Sequence, residues 1–323
     1  MKLTRLILLL CCLPMLSMAQ DAIEFNNAIV VEQAMVTAKN LEYVSYSVHS
    51  KDFNEIDRKR KEITTQIDAS IKAVTALTAP ERGADLKKEA LEVLGMYKRI
   101  FDMDFVEVAK LKQDSESSYD AMERYFEAQQ KAEKQLDKAG DRFNRAQERF
   151  AKRNDFKIEK SDGTDPLSKQ IKKMNRANEY TRKIFLTYFK ADKAHGAFME
   201  AMSKQEKGLE GKRSKMEKAA KEALGVLKEM DGFEGDKDYL NATVKLMTFY
   251  KNIAANEFVD VVKVATAKQE DLTQKDVDNY NNGIQKYNNG VNALIMDFNQ
   301  KYSELLKKHV PNVGVPKNKV QRL

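Results

Sequence analysis

The sequence predicts an all-α protein, built as a tandem duplication of an antiparallel four-helix unit, either as two bundles or as one elongated helical stack. Three observations carry this. Charged residues make up 33% of the chain, with only 5 Pro and 13 Gly in 323 residues. Straight-chain residues and alanine lose little entropy in a helix, whereas Gly and Pro cost most there. Apolar residues recur at three- and four-residue steps, and no two-residue alternation of useful length competes with them. Finally, Met96–Lys112 (MYKRIFDMDFVEVAKLK) returns about 153 residues later as Phe249–Ala265 (FYKNIAANEFVDVVKVA). Tyr97, Lys98, Phe105 and Lys110 recur as Tyr250, Lys251, Phe258 and Lys263. Self-similarity at a fixed offset is the mark of a repeated architecture.

Residues 1–19 read as a secretory signal. Lys2 and Arg5 form a basic start, Leu6–Leu16 an apolar run, and Ser17-Met18-Ala19 a small-x-small cleavage site before Gln20. The run falls short of the ~20 residues a spanning helix needs. Cys11 and Cys12 raise a lipoprotein alternative, but Leu10 stands where lipidation wants a small residue, so a signal peptidase I-type signal is favoured. Cleavage removes both cysteines, excluding disulfides and thiolate chemistry from the mature chain. It also lowers the formal charge from +7 to +5, through loss of Lys2 and Arg5. Acidic and basic residues alternate throughout, without the like-charge blocks of a nucleic-acid arm.

The first repeat is expected over 20–155. A first helix runs from Asp21 to about Ser47, with a break near His49-Ser50-Lys51. Asp52 then caps a second helix, with Glu55 at the capping-box position. Thr78-Ala79-Pro80-Glu81 stops it and opens a third, on which Leu94, Tyr97, Phe101, Phe105 and Val108 share a face. The fourth follows Asp114-Ser115, with a heptad-like, coiled-coil stripe of Tyr119, Met122, Phe126, Leu136, Phe143 and Phe150. Gln129, Glu133, Gly140 and Gln147 interrupt that stripe. A linker over 156–166 contains the dense turn formers Ser161–Pro166.

The second repeat is expected over 167–309. Its first helix covers about Leu167–Met202, followed by a capping-box form in Ser203–Glu206. The next ends at Asp231–Asp236, and the third carries the second copy of the repeated stretch. The last starts near Thr273, and a basic tail occupies 310–323. Lys59-Arg60 stands opposite Lys212-Arg213, which extends the duplication upstream.

The run Tyr97–Ile100, Phe105–Val108 and Phe143–Lys152 has the form Tyr-Lys-x-Ile, Phe-x-x-Val, then Phe-x-x-Ala-Gln-x-x-Phe-Ala-Lys. It resembles exported or surface-attached tandem helical-bundle proteins of Bacteroidota and spirochaetes whose activity is uncharacterised. The resemblance implies an envelope location and supplies no reaction.

Chemistry is sparse. His49, His195 and His309 are scattered and do not recur at the repeat offset, and no metal-ligand, phosphate-loop or nucleophile-elbow spacing occurs. No catalytic, cofactor or metal residue is assigned. The Tyr97/Lys98 and Tyr250/Lys251 positions are read as recurrent packing, with two equivalent ligand sites as the alternative. Glu107/Lys110 and Asp260/Lys263 are spaced for ion pairs. The candidate binding surface lies on the last helix. Tyr280, Asn281, Asn282 and Gly283 are echoed seven residues on by Tyr287, Asn288, Asn289 and Gly290. Each helical glycine costs about 1 kcal/mol relative to alanine, so the shared stripe implies close approach of a backbone or ligand. The amides suit a sugar or a peptide. The expected function is a non-catalytic exported module that binds or scaffolds an envelope protein or glycan, without nucleic acid and without a transmembrane segment after cleavage. The alternatives are an unrecognised extracytoplasmic enzyme and a membrane-active amphipathic protein.

Overall fold

The structure, a computed structural model, describes residues 12–49, 52–158 and 166–310. Regular structure among them is helical. In chain order come α1 Cys12–His49, α2 Phe53–Ala76, α3 Ala84–Arg99, a π-helical turn Ile100–Asp104 and α4 Phe105–Asp114. Then follow α5 Tyr119–Arg153, α6 Pro166–Ser203, α7 Leu209–Lys228, α8 Asp238–Ala255, α9 Glu257–Thr266 and α10 Gln274–His309. The all-α expectation holds, with one isolated β-bridge between Phe233 and Asp236 among the described residues. No helix there is long and apolar enough to cross a membrane. Residues 1–11 of the expected signal, 159–165 of the linker and 311–323 of the basic tail lie outside the described residues.

The described chain forms two compact units. Unit 1 takes 12–49, 52–116, 124–158 and 166–175; unit 2 takes 117–123 and 176–310. Residues 117–123 thus group with the half of the chain beyond the expected linker, and residues 166–175 with the half before it.

In unit 1, α2 buries Ile56, Arg60, Ile63, Ile67, Ser70 and Val74, alternating steps of four and three. Asp52 caps it, accepting from the Asn54 and Glu55 amides at 3.0 and 3.1 Å. Its contacts with α1 run antiparallel: Lys59 with Glu42 at 3.6 Å, Lys39 with Glu62 at 3.8 Å, and the Ser70 hydroxyl to the Glu32 carbonyl at 3.4 Å. The chain then turns back along α3, whose Lys98 reaches Asp68 at 2.9 Å. Asp85–Arg153 (2.6 Å), Glu89–Arg149 (3.9 Å) and Glu92–Arg142 zip α3 antiparallel to α5.

Unit 2 takes in α7, α8, α9 and α10. In α7 the buried Leu209, Arg213, Met216, Ala220, Ala223 and Leu227 each stand 153 positions after a buried residue of α2. On α8, Tyr239, Thr243, Leu246, Met247, Ile253 and Ala254 stand at the same distance from Leu86, Ala90, Val93, Leu94, Ile100 and Phe101. Asp238–Lys301 (3.6 Å) and Lys245–Asp297 (3.8 Å) mark α8 and α10 as antiparallel.

Several local elements differ from the sequence reading. The first helix already includes residues 12–20, ahead of the expected start at Asp21. Ser203–Glu206 makes no N-terminal box but closes α6. Glu206 N–H donates to the Ala201 carbonyl (2.9 Å) and Gln205 N–H to Met202 (3.3 Å), with Gln205 at φ 53°. That is the Schellman closure, and it satisfies carbonyls that the helix end leaves open.

The repeated stretch is likewise not one continuous helix in either unit. In unit 1 it passes through the π turn, where Phe105 N–H bonds Ile100 rather than Phe101. In unit 2 it breaks at Asn256, φ −117° and ψ −83°. Each break leaves a carbonyl that a buried arginine takes. Arg60 Nη1 donates to the Phe101 carbonyl at 2.9 Å, and Arg213 Nη1 donates to the Ala254 carbonyl at 2.5 Å. The guanidinium charges are met by Asp57 (2.8 Å) and Glu210 (2.6 Å), three residues earlier on the same helices. Leaving a buried polar group without its partner costs about 1–3 kcal/mol. Arg60→Met and Arg213→Met should each lose that much stability in urea unfolding, whereas exposed Arg58→Met should leave the midpoint unmoved. Equal midpoints for all three would remove this role.

Candidate functional site

A cavity of about 80 Å³ lies inside unit 1. At about 10–15 Å³ per water it holds roughly five waters or the end of a small organic molecule. α1 contributes Val36, Thr37, Asn40 and Val44, and the repeated stretch contributes Tyr97, Phe101 and Phe105. α5 contributes Glu133, Leu136, Asp137, Gly140, Asp141 and Asn144, and α6 adds Ile171, Lys172 and Asn175.

Helix periodicity explains the assembly. Glu133, Asp137 and Asp141 are four apart, so one stripe of α5 presents three carboxylates. Gly140 lies on the same side, where an added Cβ would stand 3.4 Å from the Tyr97 hydroxyl. Phe101 and Phe105 stack at 5.0 Å and meet Tyr43 edge-on, which closes the apolar wall.

Two carbonyl oxygens at the cavity, Asn40 Oδ1 and Asn175 Oδ1, are buried without a hydrogen-bond donor. Burial raises the Asp137 carboxyl; Lys172 opposes this, while Asp141 and Glu133 add to it. Burial also pushes the Tyr97 phenol up, and Asp137 and Asp141 reinforce the effect. Lys172 is 3.9 Å from Asp141 and is the cation lining this space. Carboxylates and two amide oxygens that lack donors thus share one space.

Unit 2 treats the corresponding tyrosine differently. Tyr250 is 1% exposed and stacks on the His195 ring at 4.3 Å. His195 Nε2 and the Tyr287 hydroxyl are 2.8 Å apart, and Tyr287 also packs on Phe258 at 5.3 Å. Aromatic rings fill the space beside Tyr250. Burial pulls the His195 pKa down to about 4, so the imidazole is neutral at pH 7.

The other sequence candidates can now be placed. On α10, Gly283 and Tyr287 are buried, Tyr280 and Gly290 are half-buried, and Asn281, Asn282, Asn288 and Asn289 are exposed. The glycine stripe faces the protein's own helices. A Cβ on Gly283 would stand 3.2 Å from the Glu257 carbonyl oxygen, and one on Gly290 2.6 Å from the Phe249 ring. The four amides therefore line the outer side of a close helix crossing. Phe105 and Phe258 are core residues at 2% and 1% exposure. Lys98 reaches Asp68 (2.9 Å), Lys110 is exposed, and Lys251 is half-buried. The expected Asp260–Lys263 pair is replaced. Lys263 reaches Asp276 at 2.5 Å, because the Thr273–Asp276 capping box holds that carboxylate beside it. Asp260 accepts instead from Asn279 Nδ2 at 3.1 Å.

Asn40, Asp137, Lys172, Asn175 and His195 were not singled out by sequence reasoning. The readable signal was Glu133 and Gly140 standing in the heptad register of α5, where apolar residues are the rule. No protein-family model, curated protein or solved structure matches the chain.

Two outcomes follow for unit 2. Gly283→Leu should destabilise by about 1–3 kcal/mol through overpacking. It should cost more than Gly290→Leu, since backbone yields less than a ring edge; calorimetric melting of both variants checks the order. For His195, the folded state sheds a proton that the unfolded chain keeps between about 4 and 6.5. Its contribution is complete above about 6.5 and lost as pH falls toward 4. The wild-type melting temperature should drop across that window with a slope that His195→Gln reduces; identical slopes would show that His195 is not the group responsible.

Proposed function

We propose that the chain is an exported, non-catalytic module of the cell envelope, made by doubling a four-helix unit, in which unit 1 is the binding half and unit 2 a solid scaffold. The doubling is supported by the shared burial register and by the recurrence of the arginine-to-carbonyl contact at one offset. Export is supported by the basic start, apolar run and small-x-small site of residues 1–19. The envelope setting draws also on the resemblance carried by Tyr97–Ile100, Phe105–Val108 and Phe143–Lys152.

The observation that carries the binding role is the contrast between two tyrosines in equivalent sequence positions. Tyr97 borders an open cavity, whereas Tyr250 is sealed against His195. A helical unit gains stability by filling such a space, as unit 2 does; keeping it open and lined with polar groups forfeits packing energy. A bound ligand supplies a reason for that cost.

Native mass spectrometry of the chain recovered from an envelope fraction tests both parts. The mature N-terminus should be Gln20, and a small-molecule adduct should accompany wild type but not Gly140→Leu, whose side chain fills the cavity. A cytosolic chain that retains Met1 would overturn export. A folded Gly140→Leu with the same adduct, or wild type without one, would overturn the binding half.

A further inference from the structure

We propose that the unit 1 cavity binds a small organic amine, its ammonium group held by Asp137 and by the amide oxygens of Asn40 and Asn175, its aliphatic body lying along Val36, Val44 and Leu136. The assignment rests on reading unit 1 as the binding half and adds the class of ligand.

The cavity leaves buried acceptors without donors. Asp137 and Asp141 line the cavity on successive turns of α5, with Lys172 beside Asp141. Asn40 Oδ1 and Asn175 Oδ1 are removed from solvent and receive no hydrogen bond. Asp137 accepts none among the described residues, and its carboxylate is crowded by Asp141 and Glu133. A buried acceptor without a donor costs free energy, and two around one space, beside a carboxylate, call for a group that donates in several directions. A primary ammonium has three N–H donors, no acceptor and a positive charge. A hydroxyl offers one donor, and an anion none.

Lys172 indicates the kind of group required. Its side chain stands at the mouth, 46% exposed and 3.9 Å from Asp141. It acts as a tethered ammonium at the rim, with the inner acceptors still open. A metal ion fits the donor set less well, because no three His, Cys, Asp or Glu among the described residues are grouped to hold one. The apolar walls from α1, α5 and the Phe101/Phe105 stack favour a carbon body over a hydrated ion. The roughly 80 Å³ of space limits the buried part to a few heavy atoms.

Isothermal calorimetry on the full chain with n-butylamine, butane-1,4-diamine, butan-1-ol and potassium chloride tests this. Saturable binding of the amines is expected, with butanol at least about tenfold weaker, the loss of one charge-assisted contact. Asp137→Asn and Asn175→Leu should each weaken amine binding about tenfold. Lys172→Met, which removes the competing ammonium, should strengthen it, and His195→Gln should leave it unchanged. Melting temperatures establish that each variant is folded. Butanol binding as tightly as butylamine, or Asp137→Asn binding like wild type, would overturn the amine assignment and leave the cavity as a general apolar site. No binding by any probe, with Gly140→Leu simply raising the melting temperature, would overturn the amine and the binding half together.

Discussion

A guanidinium buried beneath a break in a neighbouring helix is the contact on which both units depend. Arg60 and Arg213 are only 8% and 9% exposed, in a stripe otherwise made of small and apolar side chains. Burying such a charge is unfavourable unless it is paired and hydrogen-bonded. Here it is both, with Asp57 or Glu210 on one side and a main-chain carbonyl on the other. The carbonyl is available because the helix above departs from the α pattern at that point. Arginine and break satisfy each other: a straight helix offers no free carbonyl, and an apolar residue at position 60 or 213 leaves one orphaned. The break also turns the downstream segment, so that Phe105 and Phe258 enter the core beside Phe101 and Phe198.

From that common frame the units diverge in what surrounds the recurring tyrosine. In unit 2, His195 arrives from α6 and Tyr287 from α10, and their rings occupy the space. In unit 1, α5 brings Glu133, Asp137 and Gly140 in the register where packing side chains would stand. Short or charged residues cannot close a gap between helices as aromatic rings do, and a glycine contributes no side chain at all. The proposed binding half and the proposed scaffold half therefore differ through a handful of positions on the long helices, with the staple beneath them unchanged.

Much of the frame was legible in the chain. The three/four periodicity gave helices near the observed ones, and Asp52 announced a cap that forms as expected. The Lys59-Arg60 and Lys212-Arg213 correspondence was visible, although its meaning was not, because an arginine in a helical stripe reads as surface until its carbonyl partner 41 residues away is known. Ser203-x-x-Glu206 misled because the same residues that cap a helix start can follow a helix end; the left-handed Gln205 decides between them. The cavity was harder still. Asn40 and Asn175 are ordinary polar residues on long helices, and nothing local marks their oxygens as facing the same space.

The sequence by itself determined the helical class, the period of the buried faces and the recurrence of one stretch, since these depend on composition and spacing along a single helix. Tertiary structure decided where that stretch breaks, which carbonyl each arginine takes, and that Tyr97 borders a cavity while Tyr250 is sealed. The physical reason is that burial and hydrogen-bond satisfaction are settled between helices. Whether a side chain fills a space, or leaves an acceptor open within it, depends on residues that are distant in the chain and become neighbours only in the fold.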